Sequence, residues 1–292
     1  MTIAACYVTP EGVVLGADST ASAMLPGGFH YFNYSQKVFE VGAPGTGTLG
    51  IAVWGLGVLG QRSHRTLVAL FDDDLKSNPP ADMPQVANRW TDLVWAEYAP
   101  LTTRCQTLNA KQAFDPNANP PNPAARTQAE EQEFEQLKHG LVLGYHLAGH
   151  LLPERVPQAF SVGLDPLAAK PTPTAVPLWN FAGAPNMIQR LILGFDQGVR
   201  TDILKSGKWN GTPAELDQLL GQHQLATPHL PIRDAIDFVH ACIASTIKAM
   251  KFSTFAQICG GPIEIAVITT DRRFRWVRHK EWDAAIAEGA PT

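Results

Sequence analysis

Apolar positions change period along the chain, and each change marks an element. Residues 2–8 and 13–18 are short β-favouring runs joined by Pro10-Glu11-Gly12, which predicts a hairpin. Residues 37–41 and 48–54 predict a second strand pair around the turn that begins at Gly42. Helical spacing follows. Leu67, Val68, Leu70, Phe71 and Leu75 fall on one stripe, and Val86, Trp90, Leu93 and Val94 on the next, with Pro79-Pro80 between them. Residues 111–126 are rich in Pro, Asn and Ala and predict a long exposed loop. Strand character returns at 140–147, 158–164 and 178–181.

A further helical stripe comprises Met187, Ile188, Leu191, Ile192 and Phe195. Thr212-Pro-Ala-Glu215 has the form of a capping box opening a short helix, with Pro at its first position. Ile236, Val239, Ile243, Ile247 and Met250 predict a longer helix, and residues 260–270 with 274–277 a closing hairpin. Strands and helices therefore come in blocks, ββ, αα, βββ, ααα, ββ, which argues for an α+β fold over a doubly wound parallel sheet. One domain over 1–292 is the simplest organisation, with an extended loop around 107–138 and an extra segment around 206–230.

Composition narrows the function classes. A 292-residue chain that is 45% hydrophobic can bury a large core. Its net charge of −4, without a dense Lys/Arg run, argues against nucleic acid or an anionic membrane as partner. No basic stretch followed by an apolar core opens the chain, so a cytoplasmic location is expected. Cys6, Cys105, Cys242 and Cys259 are scattered and read as buried reduced thiols. His146 and His150 lie four apart, but Gly144 and Gly149 argue against the helix a metal pair would need, so neither metal nor cofactor is expected.

Candidate chemistry begins at Thr2. Removal of Met1 would leave a hydroxyl and a free α-amine on one residue, and an α-amine with a pKa of roughly 7.7–8 is a base poised near neutral pH. In the predicted hairpin, a turn centred near Glu11 sets position 2 opposite position 20. Asp18 then lies a diagonal neighbour away on the same face.

Thr2, the run Gly12-Val-Val-Leu-Gly-Ala-Asp18-Ser19, Ser35-Gln-Lys37-Val38 and Ala52-Val-Trp-Gly55 together resemble the β-subunits of the proteasome family. Among its bacterial members, the resemblance is nearest the betaproteobacterial proteasome homologue, the ancestral β-subunit and the heat-shock-locus V peptidase. It spans nearly the whole chain, since residues 260–268 also fit the family's late strand. It implies a four-layer αββα sandwich and a threonine-type peptidase. In that scheme Thr2 is the nucleophile, Lys37 the ammonium beside it, Asp18 the carboxylate that holds Lys37, and Gly55 the oxyanion donor. Ser22 would pair with an extended peptide, and Ala21, Ser35, Val53 and Gly57 would line the side-chain pocket beside the scissile bond. The implied partners are identical subunits in a ring or stacked rings, a peptide or unfolded-protein substrate, and an ATP-dependent unfoldase.

Two departures stand out. Ala184 occupies the place of the family's serine before its third helix, and Ala256 the place of an aspartate ahead of Gly260-Gly261, with Ser253 or Thr254 as candidate replacements. These losses point to weak peptidase activity and keep two alternatives open: a shell-forming subunit with a residual site, and an amidase acting on a small substrate.

Overall fold

A computed structural model describes residues 2–25, 28–42, 47–117, 122–225, 229–254 and 259–280, with side chains 23–25 and 29 left aside. The first five-stranded sheet has the order β12-β1-β2-β13-β14. It comprises β1 (Ile3–Thr9), β2 (Gly12–Ala17), β12 (Trp179–Gly183), β13 (Glu264–Thr269) and β14 (Arg272–Arg278). The second, ordered β11-β10-β9-β6-β5, comprises β5 (Val38–Val41), β6 (Leu49–Gly55), β9 (Leu143–Gly149), β10 (Gln158–Leu164) and β11 (Thr174–Ala175). Two ribbons stand apart, β3 (Ala21–Leu25) with β4 (Gly28–Phe32) and β7 (Val58–Leu59) with β8 (Arg62–Ser63). The helices are α1 (His64–Ser77), α2 (Met83–Asn109), α3 (Gln128–Gly140), α4 (Asn186–Leu193), α5 (Gln197–Lys205), α6 (Pro213–Gly221) and α7 (Ile232–Phe252).

Period-two alternation explains how the strands bury both faces. On β1, Ile3, Ala5 and Tyr7 pack towards α4 and α7, whereas Ala4 and Cys6 face the second sheet. On β6, Leu49, Ile51 and Val53 pack towards α1 and α2, whereas Ala52 and Trp54 face the first sheet. The core between the sheets is built largely from small residues, among them Ala4, Ala17, Ala52, Ala148 and Ala266, so the sheets meet closely. Strands covered on both faces read as continuous apolar runs, which is why they stand out in the sequence.

The four-layer αββα sandwich implied by the resemblance needs correction; the α+β class stands. Helix α3 packs on α2 around its own cluster of Cys105, Leu108 and Phe134, and α5 packs on α4. The two ribbons pair with neither large sheet. Four stacked layers therefore do not describe the chain.

Helix α3 falls within the segment expected as an extended loop. Thr127 caps it and Glu130 completes a capping box, the same signature that opens α6 at Thr212 and Glu215. Helix α2 continues past its stripe to Asn109 with Pro100 inside it. Leu70 and Leu191, read as stripe members, are exposed, whereas Leu67, Phe71, Ile188 and Ile192 are buried as expected.

Candidate active site

The β1–β2 register sets the geometry. Ala4 pairs with Ala17 and Thr9 with Gly12, so Asp18 continues opposite Ile3. This shifts by one residue the pairing expected from a turn centred on Glu11. Asp18 is therefore not a same-face diagonal neighbour of Thr2. It lies just past the end of β2, where the chain leaves the sheet, and turns its carboxylate back into the fold.

That carboxylate is fully buried and saturated. Its Oδ1 accepts from the Ile3 N–H at 3.0 Å and from Lys37 Nζ at 2.7 Å. Its Oδ2 accepts from the N–H groups of Thr20 at 3.2 Å and Gly260 at 2.9 Å. Four donors compensate the desolvation of a buried carboxylate. They also tie β1, the end of β2, the segment before β5 and the segment before β13 to one residue.

Lys37 immediately precedes β5 and is buried. Besides Asp18, its ammonium donates to the Thr20 carbonyl at 2.5 Å. Burial pushes its pKa below the ordinary lysine value, Asp18 pulls it back up, and the nearby Lys280 adds a smaller downward push. Cys259 lies close enough to both groups to feel their charges, but burial holds its thiol up at about 12, so it stays neutral.

Thr2, Lys37, Gly55 and Gly57 line one cavity of about 1650 Å³, together with Ala21, Ser22, Ser35 and Val53. Asp18 stands behind this wall, in contact with Lys37. Thr2 is 5% exposed and enters the fold beside Gly183, which pairs with Ile3. A Cβ on Gly183 would lie 1.8 Å from the Thr2 carbonyl oxygen, and Gly183 has φ of +83°. Only glycine fits there.

Gly55 ends β6. The Val53 N–H donates to the Lys37 carbonyl on the β5 side, and the Leu56 N–H to the Val142 carbonyl on the β9 side. Alternation along an antiparallel strand therefore aims the Gly55 N–H to the β5 side. The partner strand starts only at Val38, which pairs with Ala52, so this N–H points past it, to the side where Lys37 lies. With φ of +88° and a Cβ position 2.1 Å from the Val142 oxygen, Gly55 too is restricted to glycine.

His64, not anticipated from the sequence, buttresses this turn. Its Nε2 lies 2.8 Å from the Leu56 carbonyl and its Nδ1 3.2 Å from the Tyr145 hydroxyl. A carbonyl only accepts, so Nε2 carries the proton and Nδ1 accepts from Tyr145. Burial depresses the His64 pKa and favours this neutral ring. Helix α3 closes another side of the cavity with Glu135, Gln136 and His139. Its capping box was the readable signal.

The departures divide. Ala184 is buried at 2% exposure next to Gly183. Ser253 and Thr254, the candidate replacements, are exposed at the end of α7. Ala256 and Met1 lie outside the described residues. His146 belongs to strand β9, not to a helix. No helix among the described residues is long and apolar enough to cross a membrane.

No family model matches the chain, and no curated protein matches it. Its fold is similar to that of a solved structure, the Gly-1 mutant of Anbu from Hyphomicrobium sp. strain MC1. The TM-score is 0.53 and the identity 13%, over 99% of this chain and 91% of that one. This corrects the membership implied by the sequence motifs. At such identity the likeness is one of fold alone, and placement beside particular bacterial proteasome homologues is not supported.

Proposed function

We propose that this chain is an N-terminal-nucleophile hydrolase that cleaves peptide bonds through an acyl-enzyme on Thr2. The observation that carries the reading is the buried Lys37 ammonium, 2.7 Å from Asp18 and lining the same cavity as Thr2. Loss of Met1 is required, because the α-amine is the base. That amine takes the Thr2 hydroxyl proton, through a water, as the oxygen attacks the substrate carbonyl. Lys37 stabilises the developing alkoxide, and Asp18 keeps Lys37 charged and placed. The Gly55 N–H receives the oxyanion, an interaction whose removal costs about 100–1,000-fold where measured in other enzymes. The tetrahedral adduct collapses, the amine product leaves with the proton, and water then hydrolyses the ester and regenerates Thr2.

In this reading Ser22 pairs with the extended peptide, and Ala21, Ser35, Val53 and Gly57 shape the pocket beside the scissile bond. Identical subunits assemble into rings that enclose the cavities, and an ATP-dependent unfoldase supplies unfolded chains. The fold's likeness to Anbu supports the class of chemistry. A second reading, a shell-forming subunit with a residual site, draws on Ala184, a buried methyl where a polarising hydroxyl was expected.

Intact-mass measurement before and after exposure to a peptide epoxyketone or a β-lactone tests the proposal. Loss of Met1 and one adduct, absent in Thr2→Ala, is the expected result. Retained Met1, or no adduct at millimolar probe, would overturn it and favour the shell. Cleavage of casein fragments against turnover of small amides then separates a peptidase from an amidase.

A further inference from the structure

Glu264 is a fully buried carboxylate for which the reaction above has no use. It stands on β13 opposite Ala17, one residue short of Asp18. Its Oε2 accepts, at 3.4 Å, from the backbone N–H of Lys37. Its Oε1 faces His279 Nδ1 at 2.9 Å and Lys280 Nζ at 3.0 Å, in contacts that lack hydrogen-bond alignment and are electrostatic. Lys280, 11% exposed in its side chain, spends a proton on the Ser35 carbonyl at 3.0 Å. His279 stacks on Trp276 at 4.2 Å and 22°, and Trp276 packs edge-on against the core residue Phe274.

Two cavity-lining stretches thus converge on one carboxylate. Ser35 and Lys37 come from the segment before β5, His279 and Lys280 from the segment after β14. We propose that Glu264 is a positioning residue for the Thr2 site. It clamps these stretches together, fixing where Lys37 presents its ammonium and holding the Lys280 charge close to it. The inference rests on the reading of Lys37 as the ammonium beside the nucleophile.

A buried carboxylate is costly, and an apolar residue of similar volume in its place is often neutral or better for stability. A purely structural demand on β13 would be met more cheaply by an apolar side chain. Glu264 gains its purpose from the groups it joins. The charged and titratable groups around Lys37 are Asp18, Cys259 and Lys280, Glu264 itself against the backbone N–H, and, in the proposed enzyme, the Thr2 α-amine. Of these, Lys280 is the one whose place depends on Glu264.

The test follows Lys37 itself, by the pH titration of its 13Cε NMR signal in the full chain, in wild type, Glu264→Gln and Lys280→Met. Lys280→Met removes a neighbouring cation, and Glu264→Gln frees Lys280 to move to solvent. Lys280→Met is expected to raise the Lys37 titration midpoint, and Glu264→Gln, which removes a carboxylate from beside Lys37 as well as releasing Lys280, to displace it. An unchanged midpoint in both variants would overturn the inference, whether or not the protein proves active. Should Glu264→Gln fail to fold, Glu264→Asp, which keeps the charge but shortens its reach to Lys280 and the Lys37 N–H, takes its place beside Lys280→Met. The rate of Thr2 acylation by a β-lactone is read in the same samples. Wild-type acylation with a variant pH–rate profile displaced along with the Lys37 midpoint supports both proposals. A displaced midpoint in a protein that never acylates supports the clamp and overturns the hydrolase.

Discussion

Lys37 Nζ lies 2.7 Å from Asp18 Oδ1, with the two side chains 5% and 0% exposed, and the pair is asymmetric. Among the described residues Asp18 is held by three backbone N–H groups besides Lys37, whereas the ammonium donates to Asp18 and the Thr20 carbonyl. Removing Asp18 therefore strands a buried cation and three donors. Removing the Lys37 charge leaves a carboxylate still held by three bonds. Asp18→Ala is expected to cost about 3–5 kcal/mol of stability, and Lys37→Met about 1–3 kcal/mol. Urea unfolding of both variants measures the difference; equal costs would contradict the asymmetry. Acylation of Thr2 should be lost in Lys37→Met even where the fold persists.

Gly55→Ala places a methyl where the Val142 carbonyl stands, at a φ of +88°. The turn must shift, carrying the Gly55 N–H with it. Single-turnover acylation is expected to fall about 100–1,000-fold, the scale of a lost oxyanion donor. Gly163→Ala, which meets nothing within 4 Å, is the stability control and should melt like wild type.

Gly183→Ala tests the seat of Thr2, the proposed nucleophile. Its Cβ would fall 1.8 Å from the Thr2 oxygen, so β1 or β12 must move apart at its end. Acylation should drop by about tenfold or more, since small misplacements of reacting groups are costly. A variant that acylates at the wild-type rate would show that the end of β1 tolerates displacement.

His146 sets an acid limit on stability. It is fully buried, 4.6 Å in centroid distance from Trp54, and among the described residues neither ring nitrogen has a well-aligned hydrogen bond. Burial lowers its pKa from 6.5 to about 3, against a weak opposing approach to the Ala4 backbone. Between those values the unfolded chain holds a proton that the folded chain lacks, so stability falls as pH drops through the window. The loss reaches about 5 kcal/mol at its lower end. His146→Leu removes this loss and is expected to unfold at lower pH than wild type in an acid titration followed by circular dichroism. An unchanged acid midpoint would mean that other groups control acid unfolding.

Much of the fold was legible because its strands are covered on both faces. Ile3 to Tyr7 and Val13 to Ala17 read as unbroken apolar runs, and α7 shows its stripe through Val239 and Ile243. Helix α5 was not legible: none of its residues is buried, so no stripe exists to be read. The ribbon β7–β8 is two residues on each side, too short for any period to register. Helix α3 could have been found from Thr127 and Glu130.

For the site, the sequence by itself determined which groups exist: a threonine behind the initiator methionine, Asp18, Lys37, and glycines at 55 and 183. Covalent order and side-chain chemistry are local properties, and they carry through unchanged. Only the tertiary structure decided the rest. The register moved Asp18 from a cross-strand neighbour of Thr2 to an anchor of the Ile3 backbone and Lys37. Packing brought Glu264 within reach of Lys37, although 227 positions separate them in the chain. Helix α3 was folded back as a wall of the cavity. These contacts depend on where two sheets and their helices come to rest, and burial energy, which decides that, is a property of the whole chain rather than of any segment.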